Sequence, residues 1–269
     1  IKLKLFFSNF FYCYKFFFKI RYISLMFKKK IYSSSSSKPF RLSRTKIDLF
    51  FECKRCFFLD QKFGIKRPHG TPLVLSNRIV EDLKKELNIC RKEKSIHSKV
   101  KELNKNLIPA SHNKLEEWKS SFKGISFLHD STNLLIYGII DDVWWDRTTN
   151  KNHSVVIKSN SKKNHMSYEN IWPGYWRQLS LYSYLLSKNL LPMSSTGILV
   201  FINTPTNISQ IEDKSYFGLN IFEKILDFDW IEPTIQLISE TLKNENPPEN
   251  SKKCKYCNYY YNIKKITNE

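Results

Sequence analysis

Glycine and long apolar stretches are both scarce in this chain. Only seven of the 269 residues are glycine, and no segment matches a Walker loop, a nucleophile elbow or a dinucleotide-binding fingerprint. The most phenylalanine-rich stretch, near the amino terminus, is interrupted by lysines too often to span a bilayer. There is no internal repeat. These absences argue against P-loop enzymes, α/β-hydrolases, dinucleotide-dependent oxidoreductases and membrane-spanning proteins.

Acidic residues are also few relative to basic ones. The chain has 44 Lys and Arg against 25 Asp and Glu, a formal net charge of +19. Such an excess favours polyanionic partners, nucleic acid before a membrane surface, because each neutralised phosphate releases counterions. The alternative is that many of the lysines are simply solvated. With 41% hydrophobic residues, the chain is long enough for one globular core with or without an appendage.

The amino-terminal segment differs in composition from the rest. Residues 1–32 contain eight basic residues, eight phenylalanines and no acid, and the first methionine is Met26. We expect residues 1–39, which end in a serine-rich linker, to be disordered or spurious, with translation starting at Met26. The alternative is an amphipathic organellar targeting peptide in residues 1–37. Without residues 1–32 the charge is still 36 − 25 = +11. Residues 40–261 form the predicted domain and 262–269 a tail.

Apolar periodicity predicts a mixed α/β fold in which helices flank a central mixed sheet. Helices are expected first, then a β-meander, a helix and further strands. The predicted helices cover residues 43–63, 115–122, 174–188 and 230–243, and a further helix begins near Ser76 and runs into lysine-rich, exposed sequence up to about Asn106. The predicted strands cover residues 124–129, 132–143, 153–158, 196–203 and 215–223.

Three polar features occur at the ends of neighbouring elements between Gly138 and Leu186. An apolar run from Leu134 to Ile140 ends in Asp141 and Asp142, and a β-branched run delivers Lys158. A helix then carries a glutamine and a tyrosine four residues apart, so that both lie on one face. An acid, a lysine and a polar helical face in this order are typical of metal-assisted phosphodiester chemistry.

These residues resemble the PD-(D/E)XK nuclease superfamily, specifically its RecB-like branch. That branch has G-x-h-D on one strand, D/E-x-K on the next and Q-x-x-x-Y on the following helix. The resemblance implies a restriction-endonuclease-like core and a Mg²⁺- or Mn²⁺-dependent DNA nuclease that acts on DNA ends or single strands in repair or defence. The implied roles are metal ligation by Asp141 and secondarily Asp142, catalysis by Lys158, and orientation of DNA by Gln178 and Tyr182.

One position departs from the family pattern. The acid expected two residues before Lys158 is Val156, and no acid occurs from Arg147 to Tyr168. Three interpretations remain open at this point. The chain is an impaired nuclease in which one residue was lost or replaced, a nuclease that borrows an acid from elsewhere, or a noncatalytic nucleic-acid-binding relative. The acids available for the second interpretation are Glu81, Glu86 and Glu169.

Residues beside the glutamine would suit contacts with DNA. Arg177, Tyr175 and Trp176 combine a cation with two aromatic rings at the start of the helix. Aromatic rings interleaved with arginine can stack on unpaired bases. The alternative is that the aromatic residues pack against the core, which is the usual role of an apolar stripe at helical spacing.

Four of the six cysteines form two C-x-x-C pairs at opposite ends of the domain, Cys53 with Cys56 and Cys254 with Cys257. Four thiolates suit either a [4Fe–4S] cluster or a structural Zn²⁺ ion. The resemblance favours the cluster, because RecB-like relatives join the two ends of the domain with one. The alternative is four buried, reduced thiols. No signal peptide indicates an oxidising compartment, so we expect an intracellular, cytoplasmic protein.

Overall fold

The structure is a computed structural model that describes residues 31–68, 74–101, 106–160, 166–203 and 218–267, except the side chains of 74–77 and 160. The expected start at Met26 and the amino-terminal segment up to residue 30 lie outside the described residues. Within the described ranges the fold is mixed α/β, with two mixed sheets and eight α-helices. The predicted fold class is therefore confirmed at this level.

The larger sheet has five strands in the order β2-β5-β6-β7-β8. Only β6 and β7 are parallel, and the other neighbours are antiparallel. The strands are β2 (Leu107–Pro109), β5 (Asp142–Asp146), β6 (Lys151–Asn160), β7 (Thr196–Asn203) and β8 (Leu219–Ile225). The parallel pair requires a crossover connection, and a helix over Pro173–Lys188 provides it.

A second, three-stranded sheet stands beside the first. It has the order β1-β4-β3, with β1 parallel and β3 antiparallel to the central strand. Its strands are β1 (Phe40–Ser43), β3 (Ile125–His129) and β4 (Leu134–Gly138). The chain passes from β4 directly into β5 of the larger sheet, so the short connection at residues 139–141 joins the two sheets.

The helices surround these sheets, and two 3₁₀ turns lie at Asp130–Thr132 and Tyr168–Asn170. In chain order the helices are α1 (Arg44–Glu52), α2 (Lys54–Phe63), α3 (Val74–Glu93), α4 (Ser98–Lys101), α5 (Leu115–Lys119), α6 (Pro173–Lys188), α7 (Ile231–Lys243) and α8 (Lys255–Thr267). In the described part of the chain, none of them is both long enough and apolar enough to cross a membrane.

Strand β6 lies between two apolar cores because its side chains alternate between the faces of the sheet. Val156 packs into the core under α6, together with Leu179 and Leu199. Val155 and Ile157 pack on the opposite face, in the core under α3. The face of β6 that carries Val156 and Lys158 is thus the face covered by α6.

Several predicted element boundaries were wrong. The helix predicted over 43–63 is two helices that meet at the extended residue Cys53. The strand predicted over 132–143 divides into β4 and β5, which belong to different sheets. The helix predicted to begin near Ser76 begins at Val74 and ends at Glu93. The carboxy-terminal tail forms α8, which continues through residue 262, and the predicted strand residues 215–217 lie outside the described ranges.

Candidate nucleic-acid site and candidate metal centre

Asp141 lies in the connection between the two sheets, just before β5. The antiparallel register pairs Asp142 with Val155. Continued by one residue, the same register places Asp141 opposite Val156. Its Oδ2 accepts a hydrogen bond from the Ile157 backbone N–H at 3.2 Å. The carboxylate of Asp141 is thereby fixed at the edge of β6, on the side where Lys158 emerges.

Two lysines share this carboxylate. The Nζ of Lys158 is 3.9 Å from Oδ2 of Asp141, and the Nζ of Lys84, from α3, is 3.4 Å from Oδ1. Burial lowers the pKa of Lys158, and the nearby cations Arg44 and Lys84 add to this effect against the opposing pull of Asp141. Burial also acts to lower the pKa of Lys84, but Asp141 and Glu81 outweigh it, so the pKa of Lys84 is raised.

Helix α6 brings a buried polar pair to the same region. The amide Nε2 of Gln178 donates to the hydroxyl of Tyr182 at 3.1 Å, one helical turn away. Burial raises the pKa of Tyr182, so its hydroxyl stays protonated. The ring of Tyr182 lies against the backbone of Gly138, where a Cβ atom would approach Cε1 to 2.6 Å. The glycine of strand β4 therefore permits this contact with α6.

The first turn of α6 and helix α1 add cations and aromatic rings. Asp48 of α1 pairs with Arg44 at 2.5 Å and with Nε of Arg177 at 3.5 Å. The Arg177 guanidinium also lies 4.9 Å from the centre of the Phe51 ring. Tyr175 has the ammonium of Lys158 5.6 Å from its ring centre, and Trp176 stacks on Tyr168 at 5.6 Å. Of these three residues at the start of α6, Tyr175 contacts Lys158, whereas Arg177 faces α1 and Trp176 faces Tyr168.

Sequence reasoning did not identify Lys84, Arg44 or Asp48 as part of this region. Their helices reach it only through tertiary packing, and no spacing along the chain signals the contact. In the sequence, a charged residue on an ordinary amphipathic helix is indistinguishable from a solvated one. The structure alone adds these three side chains to the site.

Asp142 does not join this arrangement. Its carboxylate faces α3, where it pairs with Arg91 and accepts from the Val143 N–H at 2.9 Å and from Nε1 of Trp144 at 3.3 Å. Burial raises its pKa against the pull of Arg91. The physical reason is the strand pleat, which directs adjacent side chains to opposite faces. Asp142 is therefore a partner of Arg91 and not of Asp141.

The donor set around Asp141 does not fit a Mg²⁺ or Mn²⁺ ion. Such ions favour several oxygen ligands, whereas Val156 opposite Asp141 is completely buried and apolar, and two ammonium groups face the carboxylate. Of the three acids considered as substitutes, Glu81 is the one linked to Asp141, since its Oε1 is 3.1 Å from Nζ of Lys84. Glu86 instead contacts Nε2 of His97, and Glu169 contacts Ser167.

The four cysteines come together in one buried group. The sulfur separations are 3.9 Å for Cys53–Cys257, 3.6 Å for Cys56–Cys254 and 3.5 Å for Cys56–Cys257. All four sulfurs lie within 4.8 Å of one another. Among the described residues, they are the one group of three or more His, Cys, Asp or Glu side chains that could hold a metal ion. The predicted joining of the two C-x-x-C pairs is confirmed.

Both pairs occupy equivalent places on their helices. Cys53 immediately precedes α2 and Cys254 immediately precedes α8, while Cys56 and Cys257 lie in the first turns. The unpaired N–H groups and positive dipole end of a helix stabilise thiolates. Against the effect of burial, hydrogen bonds from the Cys257 backbone and neighbouring thiols lower the pKa of Cys254 to about 7. Burial raises the pKa of Cys56 and of Cys257.

Arg67 closes the cysteine group on one side. Its guanidinium donates to the sulfur of Cys254 at 3.5 Å and pairs with Glu52 at 2.5 Å. A cation beside four thiolates offsets part of their negative charge. The group therefore has the donors, the burial and the electrostatic environment of a metal centre.

The comparisons with known proteins assign this chain to no family. No protein-family model matches this chain, and no curated protein matches it. What the site does chemically must therefore be argued from the lysines, arginines and rings around Asp141 and from the four clustered cysteines.

Proposed function

We propose that this chain binds DNA through the region around Asp141 and Lys158 without hydrolysing it. The observation that carries the proposal is that the residue two before Lys158, next to Asp141 in the β5–β6 register, is the completely buried, apolar Val156. In the resembled nucleases a second acid at this place completes a metal site, but here Asp141 is left with two lysines. The site attracts phosphate and lacks the ligands for a catalytic ion.

Phosphate binding is supported by cations from three elements. Lys158 of β6 and Lys84 of α3 lie together at Asp141, and Arg177 of α6 lies at Asp48 of α1. Each would neutralise a phosphate and release counterions. The rings of Tyr175 and Trp176 next to them would stack on unpaired bases, so we infer that DNA ends or single-stranded segments are the preferred form.

A second candidate function, metal-dependent DNA cleavage, has one observation in its favour. Glu81 reaches the ammonium group of Lys84, which in turn contacts Asp141. If Lys84 moved toward a bound phosphate, Glu81 and Asp141 would become the two carboxylates of a metal site. This arrangement would replace the acid missing at Val156.

We further infer that the four cysteines hold a single tetrahedral ion, Zn²⁺, with a structural role. Zinc–sulfur bonds of about 2.3 Å place the ligand sulfurs about 3.8 Å apart, close to the 3.5–3.9 Å of three of the six sulfur pairs, and all six pairs lie within 4.8 Å. A [4Fe–4S] cluster inserts four irons and four sulfides between the thiolates. Its binding would require the sulfurs to separate, so the present spacing favours the single ion over the cluster expected from the resemblance.

DNA binding can be tested by fluorescence anisotropy with duplex and single-stranded oligonucleotides over a series of salt concentrations. Lys158→Gln should weaken binding about tenfold and reduce the slope of log affinity against log salt by about one. The matched control is Lys151→Gln, at the opposite end of the same strand, roughly 23 Å away, which should change little. Equal effects of the two substitutions would contradict the proposed site.

Cleavage assays in Mg²⁺ and in Mn²⁺ separate the two candidate functions. We expect no cleavage by the natural sequence. Val156→Asp tests whether an acid opposite Asp141 restores it. Cleavage by the unmodified protein that is lost in both Glu81→Gln and Asp141→Asn would instead establish the second candidate.

A further inference from the structure

A groove of about 700 Å³ adjoins the cysteine group. It lies between α2, the segment 65–68 that follows it, and α8. None of the described residues that line it belongs to the Asp141 region, and none is acidic. Besides two of the cysteines and three apolar side chains (Leu59, Ile65 and Pro68), the lining consists of tyrosines and bases. The tyrosines are Tyr256, Tyr259, Tyr260 and Tyr261, and the bases are Arg55, Lys66, Arg67 and Lys255.

The tyrosines are far more exposed than packing requires. Tyr259 exposes 70% of its surface, Tyr260 52% and Tyr256 40%. Exposed aromatic surface gathered in one place usually marks a binding site. Positions 256, 259 and 260 recur at helical spacing, so their rings lie as neighbours along one face of α8.

The bases are held against these rings. The guanidinium of Arg67 lies 4.9 Å from the ring centre of Tyr256, and that of Arg55 lies 5.5 Å from the ring centre of Tyr261. Arg67 is itself anchored to Cys254 and Glu52. The cysteine group thus holds the Arg67 guanidinium, and with it the ring of Tyr256, at the wall of the groove.

We propose that this groove binds single-stranded DNA, with bases stacked on the α8 tyrosines and phosphates bound by Arg55, Lys66 and Lys255. Neighbouring rings bordered by cations are the arrangement that proteins use for unpaired strands. A duplex hides the faces of its bases inside the stack, so it cannot use the rings. An acidic peptide would bind to the cations but would make no stacking contact with the rings.

A membrane surface is the main competing ligand, because tyrosines and bases also occur on interfacial helices. A bilayer meets flat or convex surfaces, whereas these side chains line a concave groove. The choice of DNA over RNA rests on the proposed function, but the groove is built from elements that the Asp141 site does not use. The two sites can therefore fail independently.

The test is binding of single-stranded oligothymidine to the full chain carrying its metal. The double substitution Tyr259→Ala and Tyr260→Ala removes the two most exposed rings of the groove. It should weaken the affinity for the oligothymidine at least tenfold and leave the affinity for duplex DNA unchanged. Phe122→Ala, at an aromatic residue that is 90% exposed and outside both sites, is the matched control and should have no effect. Metal content measured on each variant verifies that the cysteine group is intact.

A second variant probes the cations. Lys66→Gln with Lys255→Gln should reduce the salt slope of oligothymidine binding by about 1.4, at about 0.7 for each single-strand phosphate contact. Unchanged oligothymidine affinity in the tyrosine variant would overturn the proposal. So would tyrosine-dependent binding to vesicles of phosphatidylcholine and phosphatidylserine without any effect on oligothymidine, or a stronger effect on oligouridine RNA. Failure of Lys158→Gln to weaken binding of either duplex or single-stranded DNA would overturn the proposed function but not this groove.

Discussion

At the scale of single residues, Gly138 and Tyr182 depend on each other because they form one packing contact. Strand β4 carries the glycine and helix α6 the tyrosine, and the ring occupies the space in which a side chain at position 138 would lie. The hydroxyl of Tyr182 in turn receives the Gln178 hydrogen bond. The spacing of these residues along the chain therefore has a packing reason that is independent of any catalytic role.

We expect Gly138→Ala to lower the free energy of unfolding by about 1–3 kcal/mol, because the new Cβ would displace the Tyr182 ring from a packed core. Urea denaturation followed by far-UV circular dichroism measures this change. Gly218→Ala is the control, since a Cβ there meets its nearest neighbour at an ordinary 3.6 Å. In a double-mutant cycle, Tyr182→Leu should recover part of the loss. Strict additivity of the two substitutions would mean that they do not share a contact.

The sequence predicted the grouping of Asp141, Lys158, Gln178 and Tyr182, because a family pattern encodes the relation between distant elements. It did not predict that Lys84 would face Asp141. A lysine on an amphipathic helix gives no sign of what its helix packs against. The roles proposed for these residues stay predictions.

At the level of elements, two breaks in the chain were not predicted from the sequence. Cys53 interrupts an apolar periodicity that would suit one continuous helix, and its extended backbone (φ −164°, ψ 108°) starts a second one. The break places Cys53 and Cys56 at the amino terminus of this second helix. Likewise, the β4–β5 connection at 139–141 carries apolar residues that continue the strand pattern, although the chain there changes sheets.

A polar cluster ties α7 to the three-stranded sheet. Glu232 of α7 accepts from the Tyr184 hydroxyl at 2.6 Å and contacts Nε2 of His129 at 2.8 Å. The Nδ1 atom of His129 in turn contacts the hydroxyl of Thr132 at 2.8 Å. The hydrogen bond from Tyr184 is the main cause of a lowered pKa at Glu232, which the hydrogen bond from His129 reinforces and burial opposes.

The sign of this shift predicts a pH dependence. A carboxylate with a lowered pKa in the folded state adds stability above its unfolded pKa of about 4.3, and that stability is lost as the pH falls through the folded value. Because Glu232 is half exposed, we expect Glu232→Gln to cost about 0.5–1 kcal/mol at pH 7 and progressively less as the pH falls from about 4.3 toward 3. Thermal unfolding across this range measures the difference. Glu240→Gln, at an exposed position of the same helix, is the control, and an equal pH slope for both variants would contradict the prediction.

At the scale of the whole molecule, the cysteine group joins the two ends of the described chain. Cys56 and Cys254 are 198 residues apart, yet α2 and α8 begin at the same centre. The sequence predicted that the two C-x-x-C pairs would meet, since paired spacing at both ends suggests four ligands for one ion. It gave no indication of the adjoining groove, because the lining of a groove depends on how α8 lies against α2.

Removal of the metal should destabilise the protein, because the cysteine group joins α2 to α8. We expect Cys56→Ser to reduce bound metal from about one equivalent of zinc to nearly none, as measured by elemental analysis of purified protein. The free energy of unfolding should fall by about 4 kcal/mol, since the binding energy of a structural ion is also folding energy. For a chain of this size the midpoint of thermal unfolding would drop by about 8–16 °C. A chelator that strips the natural sequence should produce a similar drop.

Cys90→Ser is the matched control, because Cys90 is a free cysteine on α3 outside the group. It should leave both the metal content and the unfolding midpoint unchanged. Iron and acid-labile sulfide in place of zinc, in protein purified without oxygen, would show that the sulfurs separate to admit a cluster. Metal-free protein with an undiminished unfolding midpoint would mean that packing of α8 against α2, and not an ion, holds the two ends together.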